Sequence, residues 1–144
     1  MIGILIALLS GALMSIQGVF NTQVTDKTSL WVANGWVQST ALLVCLLAWF
    51  VTGRESIEGL MKIQPKYLLA GGIIGAFITL TVVKSMESLG PAKAVMLIVI
   101  SQLVVAYCIE LLGLFGVEKE SFEWKKVVAV ALSILGFIIF KWNS

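Results

Sequence analysis

The chain of 144 residues is 59% hydrophobic and 12% charged, with a mean hydropathy of +1.01. Soluble domains usually carry about 25% charged residues, so this composition excludes an ordinary soluble domain and indicates an integral membrane protein. The formal net charge of +2 gives no reason to expect nucleic acid as a partner, and the absence of histidine removes the commonest metal ligand and general base.

Five apolar segments are long enough to cross a bilayer, which takes about twenty residues per helix. The predicted spans are residues 2–21, 30–52, 67–83, 93–115 and 124–142. The first has no clear cleavage site, so we expect it in the mature fold rather than as a signal peptide. The fifth has a short apolar centre, and the lysines at its two ends can snorkel to the membrane surfaces. The sequence therefore predicts an all-α membrane protein with a single five-helix domain over residues 1–144.

The distribution of Lys and Arg bears on orientation. With five spans, six of these residues fall on the N-terminal side of the membrane and four on the opposite side. This difference favours an N-in orientation only slightly. A chain so evenly balanced can insert both ways round and form an antiparallel homodimer, or a sister five-helix subunit can supply the opposite orientation.

Five helices are few for a complete carrier. Many carriers consist of two inverted repeats with the substrate site between them. We find no convincing repeat within the chain, so it has the size of one half of such a carrier.

The first helix carries Gln17 and Asn21, one turn apart, in an otherwise apolar and uncharged run. At 100° per residue both fall on a stripe of small residues, with Gly18 at its edge. The opposite side of the helix carries large apolar residues that we expect to face lipid: Leu5, Leu9, Leu13, Ile16 and Phe20. Two interpretations are open. The amides can hydrogen-bond to neighbouring helices as packing contacts, or they can line a hydrated cavity and contact a polar substrate.

Polar residues in two other helices suit the same cavity. Gln102 lies near the centre of the fourth span. Asn34 lies near the start of the second span, with Gln38 one turn later. Glu110 follows Gln102 by two turns, and an ionisable group at membrane depth indicates a functional site, here for coupling to protons or another ion. The alternative is that Glu110 is interfacial or paired with a loop lysine.

Small residues recur at helical spacing in two further spans. Gly71 and Gly75 form a G-x-x-x-G in the third, and Ser133 and Gly136 lie on a small stripe of the fifth. Such residues allow helices to approach closely, so we expect helix packing or a contact between subunits there. The sequence contains no nucleophile–base pair, metal-ligand cluster or phosphate-binding loop, so we expect no enzyme, metal or cofactor.

Three stretches occur together in this order: SGALMSIQGVFNTQV, GGIIGAFITLTVV and SQLVVAYCIELLGLFGVEKESFEWKKVVAVALSILGFIIF. With them the chain resembles the five-helix, YdcZ-like bacterial branch of the drug/metabolite transporter (EamA-like) superfamily over nearly its whole length. The resemblance implies a half-transporter, found as single chains, as opposite-topology pairs or as fused ten-helix chains. The related four-helix exporters carry a carboxylate in their first helix, and this chain has none there. A proton-linked role carried over from them would fall to Glu110.

The resulting expectation is a multi-pass carrier subunit of the inner membrane that moves a small polar or amphipathic solute by alternating access as a dimer. Its substrate site would include Gln17, Asn21, Gln102 and Asn34. Its expected partners are a second copy or a sister subunit, the lipid membrane and a small-molecule substrate. The alternative is a non-transporting assembly or scaffold subunit whose amides only pack helices.

Overall fold

The computed structural model describes residues 1–142, and the regular elements in that range are all helical. In chain order the helices are α1 (Ile2–Lys27), α2 (Leu30–Val51), the short α3 (Glu58–Lys62), α4 (Gly71–Leu89), α5 (Pro91–Leu112) and α6 (Trp124–Trp142). Short 3₁₀ turns cover Lys66–Ala70 and Leu114–Gly116. The predicted all-α class is confirmed. The chain divides into a first compact unit, Met1–Glu87, and a second unit that begins at Ser88.

Four helical stretches are long and apolar enough to cross a membrane: Ile2–Lys27, Leu30–Val51, Lys66–Leu89 and Pro91–Leu112. They correspond to the first four predicted spans, although two of them continue past the predicted end. The α1 helix continues beyond residue 21 and the α4 helix beyond residue 83, because polar residues at the membrane surface still extend a helix. The α5 helix ends earlier than predicted, since Gly113 adopts the left-handed conformation with φ of 63° that terminates helices.

The α6 helix has the bounds predicted for the fifth span and contains 19 residues. Its uncharged centre runs only from Val127 to Phe140. At 1.5 Å per residue this centre is about 21 Å long, whereas the hydrocarbon core is about 30 Å thick. A fifth crossing therefore requires the flanking lysines to snorkel, and it stays a prediction.

The α1 and α2 helices pack against each other as a hairpin. Only Thr28 and Ser29 connect them, and the Ser29 hydroxyl caps α2 by accepting a hydrogen bond from the backbone N–H of Val32 at 3.3 Å. Because the connection is so short, the two helices are antiparallel neighbours. Residues near the end of α1 therefore face residues near the start of α2.

The described residues bury few side chains. The buried apolar set is Ala33, Val83, Met86, Ala94 and Tyr107. Most large apolar side chains along the long helices are exposed instead. Such a surface would be unfavourable in water, whereas lipid tails are as apolar as the side chains themselves.

The end of the Met86 side chain on α4 packs against Gly18, which is buried in the first unit. A Cβ atom added there would lie 2.5 Å from Cε and 3.0 Å from Sδ of Met86 on α4. Gly18 therefore provides the space that Met86 occupies. The sequence interpretation placed Gly18 near the amide stripe but did not identify it as a packing glycine.

The glycines predicted for packing behave differently. A Cβ atom added at Gly71, Gly75 or Gly136 would meet nothing within 4 Å among the described residues. The hydroxyl of Ser133 donates to the carbonyl oxygen of Ala129 in its own helix at 2.9 Å. These positions leave room for a neighbour, and their role in a contact between chains stays a prediction.

Candidate functional site

Gln17 and Asn21 lie on the same side of α1, where Gln17 is exposed and Asn21 is half-buried. Among the hydrogen bonds within residues 1–142, none involves either side-chain amide. Nearby hydroxyls differ in this respect, since Thr22 donates to the carbonyl oxygen of Gly18 at 2.9 Å. An unsatisfied polar group in the hydrocarbon region of a membrane costs several kcal/mol, so amides placed there would need a partner outside the described residues.

Both amides border a groove between α1 and α2 of about 580 Å³. Its ten lining residues are Gln17, Phe20, Asn21 and Val24 from α1 and Trp36, Val37, Thr40, Ala41, Val44 and Cys45 from α2. A second groove of about 440 Å³ also borders Gln17, Phe20 and Asn21 and is completed by Leu13, Met14 and Ile16. The two amides therefore border two concave surfaces of a size that accommodates a small ligand.

Asn34 lies elsewhere. It is buried, and its side-chain N–H donates to the carbonyl oxygen of Ala76 on α4 at 3.2 Å. Its side-chain oxygen accepts a hydrogen bond from the amide of Gln38 at 3.3 Å, and the same Gln38 amide lies 3.5 Å from the hydroxyl of Thr79. Asn34 thus connects α2 to α4 and does not line the groove at Gln17 and Asn21. We therefore leave it out of the proposed site.

Gln102 belongs to the second unit and lies near the middle of α5, on an exposed surface. Its side-chain amide has no hydrogen-bond partner among residues 1–142. Like Gln17, it is an unpaired amide in a helix that is long and apolar enough to cross a membrane. Its relation to the groove in the first unit stays a prediction.

Glu110 lies near the end of α5 and forms an ion pair with Lys126 of α6, with Oε2 and Nζ 3.2 Å apart. Lys126 also pairs with Glu120 in the connecting loop and lies 5.1 Å from the centre of the Tyr107 ring. The lysine is therefore held between two carboxylates. The alternative in which Glu110 pairs with a lysine was stated for a loop residue, whereas Lys126 lies in the first turn of α6. A coupling role for Glu110 stays a prediction.

The loop between α5 and α6 folds back on α5 beside this ion pair. The Tyr107 hydroxyl accepts a hydrogen bond from the backbone N–H of Glu123 at 2.8 Å and donates to the carbonyl oxygen of the same residue at 3.3 Å. The backbone N–H of Glu120 donates to the carbonyl oxygen of Glu110 at 2.9 Å. A cavity of about 280 Å³ beside these groups is lined by Leu103, Ala106, Tyr107, Glu110, Lys126, Ala129 and Val130.

Sequence reasoning missed the α2 side of the groove. The groove is lined on this side by Trp36, Thr40 and Val44, which recur every four residues. Residues at this spacing share one face of a helix, so the spacing could have indicated the surface. Sequence reasoning also missed Tyr107 as the residue that fixes the loop to α5. No spacing in the sequence indicates that contact, because it joins a side chain to a backbone sixteen positions away.

The chain matches, over residues 2–139, the family model described as "Putative inner membrane exporter, YdcZ". No curated protein and no solved structure shows significant similarity to the chain.

Proposed function

Because the chain belongs to the YdcZ family of inner membrane exporters, we propose that it is a carrier subunit whose α1–α2 groove binds a small polar or amphipathic solute. The family itself supports a transporter role in general, and with the four long apolar helices it makes the chain a multi-pass protein of the inner membrane. The solute, the dimer and alternating access are the proposal.

The observation that carries the proposal is the pair of amides at Gln17 and Asn21. They border a groove, they lie in a helix without charged residues before its last turns, and no hydrogen bond within residues 1–142 satisfies them. Gln17 lies about 22 Å along the helix axis from the start of α1, at 1.5 Å per residue. At that depth an amide contacts water in a cavity, a solute or another helix.

A second subunit would complete the site. Alternating access rocks one repeat against another around a central site, and this chain supplies one half. The even distribution of Lys and Arg supports insertion in both orientations, so a five-span chain would meet its own copy antiparallel. In such a dimer we expect Gln102 to contribute further amides, and Gly71, Gly75, Ser133 and Gly136 to provide close contacts.

The proposal includes coupling of transport to an ion at Glu110. Glu110 is the acidic residue of α5, and its ion pair with Lys126 already compensates its negative charge. Coupling through Glu110 would require Lys126 to exchange between Glu110 and Glu120 as the subunits move. The pairing of one lysine with two carboxylates supports such an exchange.

The rival function is an assembly or scaffold subunit. The bonds of Asn34 and Gln38 favour it, because they demonstrate that amides in this chain can serve as interhelical contacts. In that case Gln17 and Asn21 would bond to the helices of a partner and would have no contact with water.

Water accessibility separates the two functions. Cysteines are introduced singly at Gln17, Asn21 and Leu9 in a chain that lacks Cys45 and Cys108, and are labelled in membranes with a membrane-impermeant thiol reagent. Leu9 is the matched control, because it is an exposed residue of the same helix on the aliphatic stripe. The carrier requires labelling at position 17 or 21 and little at position 9. If positions 17 and 21 are as unreactive as position 9, the amides lie in a dry contact and the carrier proposal is wrong.

A further inference from the structure

The groove bordered by Gln17 and Asn21 has a distinctive chemistry. None of its ten lining residues carries a charge. The first charged residues of α1 are Asp26 and Lys27 at its end, and α2 has none over Leu30–Val51. Its aromatic surface comes from Phe20 and Trp36.

The polar groups of the groove are uncharged hydrogen-bond donors and acceptors. Each amide of Gln17 and Asn21 offers an N–H₂ donor and a carbonyl acceptor, and neither is used within residues 1–142. The indole N–H of Trp36 likewise has no acceptor there. The Thr40 hydroxyl differs, because it already donates to the carbonyl oxygen of Trp36 at 2.9 Å.

The position of the groove along α1 and α2 follows from the rise of the helices. Val24 lies about 5 Å along the axis from the end of α1, and Cys45 lies about 22 Å from the start of α2, at 1.5 Å per residue. Because the helices are antiparallel, the groove extends from the turn between them toward the middle of the membrane. Cys45 lies at its deep end and is a free, exposed thiol.

Resting on the proposed function, we propose that the solute bound in this groove is uncharged, with an apolar or aromatic body and a polar end that carries a hydrogen-bond donor next to an acceptor. Carboxamides, ureas and vicinal diols have such an end. The body contacts Phe20, Trp36 and Val44, and the polar end pairs with Gln17 and Asn21.

The same lining disfavours charged solutes. Burial of an ion without a counter-ion is costly, and no lysine or arginine lines the groove to pair with an anion. A cation would find the faces of Phe20 and Trp36 but no carboxylate. An uncharged solute satisfies both amides and leaves no buried charge unpaired.

The native Cys45 provides the test. In the Cys108→Ala protein, the rate of Cys45 modification is measured with three methanethiosulfonate reagents that have a neutral hydroxyethyl, a cationic trimethylammonioethyl or an anionic sulfonatoethyl head. Each rate is divided by the rate of the same reagent with 2-mercaptoethanol. This normalisation corrects for the different intrinsic reactivities of the three reagents. The protein with both Cys45→Ala and Cys108→Ala, which has no thiol, gives the background.

We expect the neutral reagent to give the highest normalised rate and the anionic reagent to be slower by about tenfold or more, because the groove desolvates an ion without pairing it. An anionic rate equal to the neutral rate, or a cationic rate above it, overturns the uncharged class while leaving a hydrated groove and the carrier intact. If none of the three reagents reaches Cys45, the groove is closed to water, and the proposed function falls together with the substrate class.

Discussion

Asn34 and Gln17 are both amides in apolar helices, but only the replacement of Asn34 by leucine should lower the stability of the chain. Leucine has nearly the shape of asparagine, so Asn34→Leu removes hydrogen bonds with little change in volume. It loses the bond to the carbonyl oxygen of Ala76 and the bond from Gln38. Interhelical bonds in membrane proteins average about 0.6 kcal/mol, with a maximum of about 1.7. We therefore expect Asn34→Leu to lower the free energy of unfolding by about 1–2 kcal/mol. Gln17→Leu loses no bond within the described chain and should change it by less than about 0.5 kcal/mol.

The assay is reversible unfolding in mixed micelles by titration with dodecyl sulfate, followed by circular dichroism, at a protein concentration where the chain is monomeric. Gln38→Leu is the matched control within the α2–α4 contact and should fall between the two variants. If Gln17→Leu destabilises the monomer as much as Asn34→Leu does, the expected difference between the two amides is wrong. Gln17 would then have a packing partner inside the chain, and its amide would not be available to a solute.

Three further outcomes follow from the geometry. Gly18→Leu should lower the free energy of unfolding by about 1–3 kcal/mol through overlap with the Met86 side chain. Gly75→Leu should change it by less than about 0.5 kcal/mol and should instead reduce the amount of cross-linked dimer. Equal destabilisation by the two variants in the same titration would contradict the difference in space around these glycines. Lys126→Gln should speed limited proteolysis of the loop after α5, since Glu110 loses its partner, and Lys126→Arg should restore resistance; identical cleavage of both variants would exclude the ion pair as the restraint. Two lysines added to the turn between α1 and α2 should shift a C-terminal reporter toward the N-out orientation, and an unmoved reporter would argue for a fixed orientation and a separate partner.

The helices were predictable because their apolar runs are long and their ends are marked by Gly, Pro and Ser. The Gly90–Pro91 pair places α5, with Pro at the first turn, and Ser29 caps α2. The helices continue past the predicted ends of the spans where polar residues extend them, as in α1 up to Lys27. Composition changes at the membrane surface, whereas the backbone hydrogen bonds of the helix continue beyond it.

The site was predictable only in part. The stripe argument selected Gln17 and Asn21 correctly as neighbours on one side of α1, but it assigned Phe20 to the lipid-facing side, and the structure has Phe20 lining both grooves. It could not separate Asn34 from Gln17, because the difference lies in a backbone carbonyl of α4 that only the tertiary structure brings to α2. The pairing of Glu110 with Lys126 could not be predicted either, since the two residues lie sixteen positions apart in the sequence.

The central claim is that Gln17 and Asn21 bind the solute. The most direct measurement is a thermal-shift screen of the purified protein against uncharged amphipathic compounds, followed by titration of one stabilising compound against the parent, Gln17→Leu and Gln38→Leu. Loss of a hydrogen-bond partner for a buried polar group costs about 1–3 kcal/mol, which corresponds to about 5- to 150-fold in affinity. We expect Gln17→Leu to weaken binding by this factor at unchanged stability, and Gln38→Leu to bind like the parent. A Gln17→Leu protein that binds the compound as tightly as the parent would contradict this claim.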